Sequence, residues 1–244
     1  MAQETDIYRR TGLASIWTPI GAGPAALSLA DQVATQLAEA IVNEEYAPGS
    51  RIHEVAVSER FHVSRGPVRE ALRILENAGL VKILPRRGAI VTKLSIAEVE
   101  DVFELRAVLV GLAARRLARA CPAASLAQIE ACVEELKLLA QQEDAEAATR
   151  YVRVSQDLSF LICVGTGSEQ LTSIVYSLFH QTIRYTRLSL STLERRRYSS
   201  KVWAELIVAI RSGNEIEAET TARLLVDKTR EMAIEMLRNS AAPA

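Results

Sequence analysis

Arg65, Arg69 and Arg73 follow one another at intervals of four residues. On a helix that spacing places all three on one face, with Val68, Leu72 and Leu75 opposite. The apolar side would anchor such a helix and leave the guanidinium groups free. A guanidinium's planar fork donates two parallel hydrogen bonds to guanine O6 and N7 or to a phosphate, and a well-made bidentate base contact discriminates by about 1–3 kcal/mol. Ser64, just ahead of the first arginine, is placed to cap the helix, where free N–H groups and the helix dipole also gather anions. A second basic feature is Pro85-Arg86-Arg87-Gly88. Gly88 permits close backbone approach to a nucleic-acid groove, and Arg86 or Arg87 fits the narrower minor groove. Residues 64–93 hold seven basic and two acidic side chains, a local +5 in a chain of 244 residues whose formal charge is −1 and whose remainder is therefore −6. An arginine face alone is ordinarily a solvated surface. Three such features within thirty residues point instead to DNA.

A different chemistry is offered by charges that fall on apolar helical stripes. Arg106 shares a face with Val99, Val102, Phe103, Val110 and Ala113, so its guanidinium points inward and must find a buried anion. Asp157 is flanked at helical spacing by Val154, Leu161 and Val164. Two readings follow: Arg106 and Asp157 form a structural ion pair, or they line a pocket.

The elements that must hold these residues are legible from periodicity and punctuation. Residues 1–26 show no sustained period and read as a tail. Leu29, Val33, Leu37, Ala40 and Ile41 mark an amphipathic helix that stops before Pro48-Gly49. Glu54 to Phe61 reads as a second helix, His62-Val63-Ser64 as a break, and Arg65 to Ala78 as a third helix closed by Gly79. Val81–Leu84 and Ala89–Thr92 read as the strands of a hairpin. Beyond Ser95 only helices are expected, at about 96–119, 124–146, 148–165, 168–196, 199–212 and 214–237, and six helices with short joints make an antiparallel bundle. The expected fold is therefore mainly α: a winged helix-turn-helix over 27–94, a six- or seven-helix antiparallel bundle over 95–239, and a second tail at 240–244.

Composition removes several classes. Cys121, Cys132 and Cys163 are isolated and only three His occur, so zinc ribbons and disulfide scaffolds are disfavoured and the thiols read as buried and reduced, which suits a cytoplasm. His180 reads as a polar surface or interface residue. Arg9-Arg10 precede an uncharged run to Ala30, superficially an export signal, but Gly12, Pro19, Gly21, Gly23 and Pro24 break any apolar helix there. No other uncharged run approaches the roughly 20 residues needed to span a bilayer, so no membrane is expected.

The stretch Pro48-Gly49-Ser50-Arg51-Ile52, then Val63-Ser64-Arg65-Gly66-Pro67-Val68-Arg69-Glu70-Ala71-Leu72, then Leu75-Glu76-Asn77-Ala78-Gly79-Leu80-Val81 and Arg86-Arg87-Gly88 resembles the winged helix-turn-helix of GntR-family bacterial transcription regulators. The helical remainder, with Glu104-Leu105-Arg106 in its first helix, resembles the FCD effector domain of the FadR subfamily. The resemblance implies that Ser64, Arg65, Gly66, Pro67, Arg69, Arg73, Arg86, Arg87 and Gly88 form the DNA surface. Arg65 and Arg69 would read bases or hold phosphates, Ser64 would touch phosphate, and the wing would touch the minor groove. Some relatives carry a further Arg in the second helix, where this chain has Glu54-Val55-Ala56. Many FCD domains hold a divalent metal through an Asp, a His four residues later and two more His. Aligned on Asp157, those His positions fall on Leu161, Trp203 and Leu225, a set that cannot hold a transition metal. Arg106, Asp157, Leu161, Trp203 and Leu225 are then expected to line a metal-free effector pocket needing no cofactor. Asp157 beside Trp203 suits an organic cation or a hydrogen-bonding ring, whereas Arg106 suits a carboxylate.

The expected function is a cytoplasmic, homodimeric regulator, most simply a repressor. It would bind palindromic double-stranded operator DNA and be released or repositioned by a small metabolite such as an organic acid. A structural DNA-binding protein whose bundle only dimerises is the alternative. An enzyme is disfavoured, since one acid, one Arg and apolar walls supply no nucleophile and no acid–base pair.

Overall fold

A computed structural model of the chain describes residues 28–85, 87–120 and 123–241. The expected tail at 1–26, Arg86, Cys121 and the last three residues lie outside them. The chain divides into two compact units at Leu94/Ser95.

In the first unit α1 (Leu29–Val42) begins with a reciprocal cap. The Asp31 N–H donates to Ser28 Oγ at 3.1 Å, and the Ser28 N–H donates to Asp31 Oδ2 at 3.1 Å. Its buried stripe is Val33, Ala34, Leu37, Ala38 and Ile41. β1 (Arg51–Ile52) leads into α2 (Glu54–Phe61), which ends at His62 in the left-handed region with φ 52°. α3 (Arg65–Asn77) seats Val68, Ala71, Leu72 and Leu75 in the core. Gly79, at φ 76°, then turns the chain so that the Leu80 N–H donates to the Leu75 carbonyl at 2.9 Å.

The strands β2 (Val81–Leu84) and β3 (Gly88–Val91) form the expected hairpin, with Gly88 rather than Ala89 opening the second strand. β3 lies between β1 and β2, antiparallel to both, with Ile52 opposite Ala89 and Val81 opposite Val91. The sequence reading missed β1, because two residues carry no periodicity. This third strand changes the meaning of Gly88. Its φ is +79°, and a Cβ there would collide with the Ile52 carbonyl. The glycine is required for β1 to lie against the hairpin, whether or not a groove is ever approached.

The second unit consists of α4 (Ile96–Ala120), α5 (Ala123–Leu139), α6 (Ala145–Val164), α7 (Glu169–Ser189), α8 (Leu193–Arg211) and α9 (Glu215–Ala241). Three boundaries differ from expectation. α5 stops at Leu139 rather than near 146, the expected 168–196 helix breaks after Ser189, and α9 continues to Ala241. Side-chain caps explain the first two. Asp144 accepts from the Ala147 N–H and Thr192 from the Arg195 N–H, so each starts a new helix within a stretch whose apolar period runs on.

α4 packs closely along α9 and also meets α7, while α6 lies between α5 and α7. One fully buried cation ties the joints together. Arg196 donates to the carbonyls of Leu190 at 3.3 Å, Ser191 at 3.0 Å and Gln142 at 2.9 Å. It thereby satisfies orphan acceptors beyond the ends of α7 and α5.

Candidate functional site

Two groups of residues could do chemistry, one in each unit. In the first, α3 stands on its apolar stripe and leaves Arg65, Arg69 and Arg73 exposed on the other side. Arg69 Nε donates to Glu54 Oε2 of α2 at 2.9 Å, and its two terminal nitrogens have no partner among the described residues. Arg73 Nη1 lies 3.2 Å from Glu70 Oε2, while Arg65 makes no ion pair with the described residues. Exposed pairs of this kind are worth about 0–1 kcal/mol and weaken with salt, so an incoming phosphate or base edge displaces them cheaply.

Ser64 is the N-cap residue, but its hydroxyl makes no capping hydrogen bond, which corrects the expectation that it caps α3. The first-turn N–H groups therefore lack a side-chain acceptor from the cap, and the exposed hydroxyl is free to meet an anion. Gly66 is exposed with open space around its α-carbon, and Pro67 occupies the first turn, where a missing N–H costs nothing. At the wing, Arg87 is exposed and its N–H closes the turn onto the Leu84 carbonyl at 3.0 Å. Arg86 lies outside the described residues.

The second group surrounds a small, partly open cleft inside the helical unit. Arg106, Trp203 and Leu225 line it, together with Ser155, Ser159 and Thr186. Asp157 and Leu161 are not among its lining residues, and the helix explains why. Ser155 and Ser159, four apart, face the cavity, and a residue two positions away from either is rotated by about 200°. Asp157 consequently lies toward α5, where its charge helps raise the Cys132 thiol to about 11, after burial as the larger cause. The pair that shares the cavity with Trp203 and Leu225 is therefore Ser155/Ser159, two residues before the alignment made on Asp157.

The Arg106–Asp157 ion pair, one of the two readings, is not formed either. Arg106, only 4% exposed, donates through Nη1 to Thr182 Oγ1 at 2.7 Å and Thr186 Oγ1 at 3.3 Å. Its guanidinium lies 4.2 Å from the Phe179 ring centre and 5.0 Å from that of Phe103. Nε makes no hydrogen bond. Burial pushes this group down to about 9, as expected of a cation with hydroxyl and aromatic neighbours but no carboxylate.

His180 is a further correction. It is buried rather than on the surface, edge-on to Tyr176 with ring centres 4.4 Å apart, and burial pushes its pKa down to about 4. The imidazole is thus neutral at pH 7.

The hydroxyls were missed because Ser and Thr carry little weight in a hydrophobic period. Their signal is nonetheless present, as small polar residues on an otherwise apolar face: Ser155 and Ser159, four apart, on α6, and Ser199, four before Trp203, on α8. Among the described residues no group of three or more His, Cys, Asp or Glu could hold a metal. Among the same residues no helix is long and apolar enough to cross a membrane.

Comparison with known proteins places both units. Residues 29–91 match the family model described as bacterial regulatory proteins, gntR family, and residues 101–228 match the FCD domain. The chain is 34% identical over 139 residues to the HTH-type transcriptional regulator YdhC of Bacillus subtilis, covering 54% of this chain and 58% of that one. It is 35% identical over 106 residues to the HTH-type transcriptional repressor RspR of Escherichia coli, covering 43% and 46%. These alignments span about half the length of the relatives. Among solved structures, E. coli McbR/YncC superposes with a TM-score of 0.70 at 18% identity, over 88% of this chain and all of the other, a likeness of fold.

Proposed function

The chain belongs to the gntR family of bacterial regulatory proteins and carries an FCD domain, and from that premise we propose that it is a cytoplasmic, homodimeric transcription regulator, most simply a repressor, that binds a palindromic operator and answers to a small organic acid. The observation that carries the DNA half is α3 itself: an apolar stripe sunk into the core and three exposed arginines on the opposite face. Two such helices in a dimer would enter successive major grooves about 34 Å apart. The wing would add phosphate or minor-groove contacts through Arg86 and Arg87.

The effector half rests on Arg106, a buried cation on a cavity wall with no carboxylate beside it. A ligand carboxylate is the natural missing partner, since charge-assisted bidentate pairs are the strongest that a guanidinium makes. The metal that many FCD domains hold does not fit here. The corresponding lining is Ser155, Ser159, Trp203 and Leu225, and neutral hydroxyls, an indole and an alkyl chain cannot replace imidazoles and a carboxylate. Occupancy of the cavity would favour one placement of the winged units over another, so that both recognition helices no longer engage the operator together.

Gel-shift titration at fixed salt, on an operator selected from random duplexes, tests the DNA half. Arg65→Ala is expected to lose about 1–3 kcal/mol of specific affinity, and Arg87→Ala to weaken specific and non-specific binding alike. Unchanged affinity in Arg65→Ala refutes the assignment of α3.

A further inference from the structure

The first helix of the helical unit carries an apolar stripe on its outer side. Leu105 and Val108 of α4 are 57% and 49% exposed, and Leu109 and Leu112 beside them are half-buried. These four, with Asp101 before them and Arg116 after them, fall within an arc of about 100° around the helix. The opposite side is sunk into the bundle through Phe103, Ala107, Val110 and Ala114. That orientation is fixed by α9. Gly111 brings the two helices so close that a Cβ there would lie 2.8 Å from Arg223 Cγ, and Glu104 pairs with Arg230 and Arg119 with Glu215.

The exposed charges of α4 are of two kinds. Glu100, Glu104, Arg115 and Arg119 each pair with a residue of α9, and Glu98 accepts from the Ser95 N–H. Asp101 and Arg116 are exposed and make no side-chain ion pair or hydrogen bond with the described residues. They are opposite in sign and close the two ends of the apolar stripe, about 22 Å apart.

The steps from Asp101 through Leu105, Val108, Leu109 and Leu112 to Arg116 are four, three, one, three and four residues, the same in either direction. A stripe with that symmetry complements itself when turned end for end. Leu105 meets the partner's Leu112, Val108 meets the partner's Leu109, and Asp101 meets the partner's Arg116. Each contact occurs twice, about a two-fold axis between Val108 and Leu109. A parallel pairing would instead set the two Asp101 side chains against each other and likewise the two Arg116, with like-charge repulsion at both ends.

We propose that this face of α4 is the homodimer interface of the helical unit, its occupant the same face of a second copy, packed antiparallel with Asp101 and Arg116 as reciprocal end clamps. The inference rests on the homodimer read above and adds its surface and register. At the shallow crossing of about 20° found in helix bundles, helix ends about 11 Å from the axis diverge by only about 4 Å, within the reach of an arginine side chain. The aliphatic side chains supply the affinity and the charges fix the orientation.

The test is sedimentation equilibrium of the full-length protein without DNA. The wild type is expected to dimerise. Asp101→Arg sets two arginines against each other at both ends of the interface, and Arg116→Asp sets two aspartates there, so each variant alone should dissociate at least about tenfold more readily. Mixed in equal amounts, the two variants regain an Arg–Asp pair at both ends and should associate with each other about as tightly as the wild type does with itself. Val108→Glu, which brings two carboxylates close to the axis, should weaken the dimer further. Leu138→Glu, at a leucine 67% exposed on α5, should leave it unchanged. Circular dichroism of each variant confirms that it is folded, and if Val108→Glu does not fold, the charge variants decide. A dimer that survives both charge reversals and Val108→Glu, or that Leu138→Glu disrupts as strongly, overturns the α4 face while leaving the homodimer standing. Charge variants that weaken alone and are not rescued by mixing overturn the antiparallel register. A monomeric wild type overturns the homodimer reading itself.

Discussion

Replacing Arg106 by methionine should make the free protein more stable and deaf to its effector. The magnitude follows from the surroundings. Lowering the guanidinium from 12.5 to about 9 is equivalent to about 5 kcal/mol of disfavour for the buried charged form. Against this, methionine loses the two hydrogen bonds to Thr182 and Thr186, worth at least about 1.5 kcal/mol each to a charged donor. Neither hydroxyl keeps an unsatisfied charge beside it, and Thr182 Oγ1 still donates to the Leu178 carbonyl at 2.7 Å. The thioether retains packing on Phe103 and Phe179. A net gain of about 2 kcal/mol remains, which for a protein of this size raises Tm by about 4–8 °C. Thermal denaturation at pH 7.5, with and without an acid that shifts the wild type, reads both effects. A fall in Tm of more than about 4 °C, or a ligand-induced shift that survives the substitution, would refute the view of Arg106 as a cation waiting for an anion.

The same change at Arg196 should do the opposite. It strips the carbonyls of Leu190, Ser191 and Gln142 of their donor, so Arg196→Met is expected to cost about 3–5 kcal/mol in urea denaturation. A loss under about 1 kcal/mol would mean that water takes over those acceptors. Gly88→Ala should unfold or distort the winged unit by forcing a Cβ into the Ile52 carbonyl at φ +79°. Loss of β-sheet amide protection in hydrogen exchange is the expected readout, with the helical unit unaffected, and unchanged protection contradicts it. His180 sets an acid limit. Its pKa is about 4 folded against 6.5 unfolded, so below pH 6.5 the unfolded chain takes up a proton that the folded chain refuses. Stability should fall by about 3 kcal/mol as pH drops from about 6.5 to 4. The difference in Tm between wild type and His180→Phe, followed over that window, checks the sign. A pH-independent difference removes His180 from the account.

The winged unit was largely readable from local pattern. The apolar period of α3, the arginines opposite it and the glycine after it are short-range features, and they act in the structure as their spacing requires. β1 was not readable, because two residues have no period and acquire their pairing only from β3. Gly88 accordingly gained a steric role that no spacing implied. In the helical unit the number of helices was legible, whereas the α7–α8 break depended on one hydroxyl at Thr192 capping a helix within an apolar run.

The sequence by itself determined that Arg106 is inward, since an arginine on an apolar stripe has nowhere else to go. It could not choose Arg106's partner. That depends on the rotation of α6 and α7 about their axes, which puts Thr182 and Thr186 beside the guanidinium and turns Asp157 toward α5. A helical stripe records which side of a helix is buried, but a bundle has several buried directions. Only packing decides which of them meet at a cavity, and so that Ser155, Ser159, Ser199 and Trp203 line one cleft with Arg106.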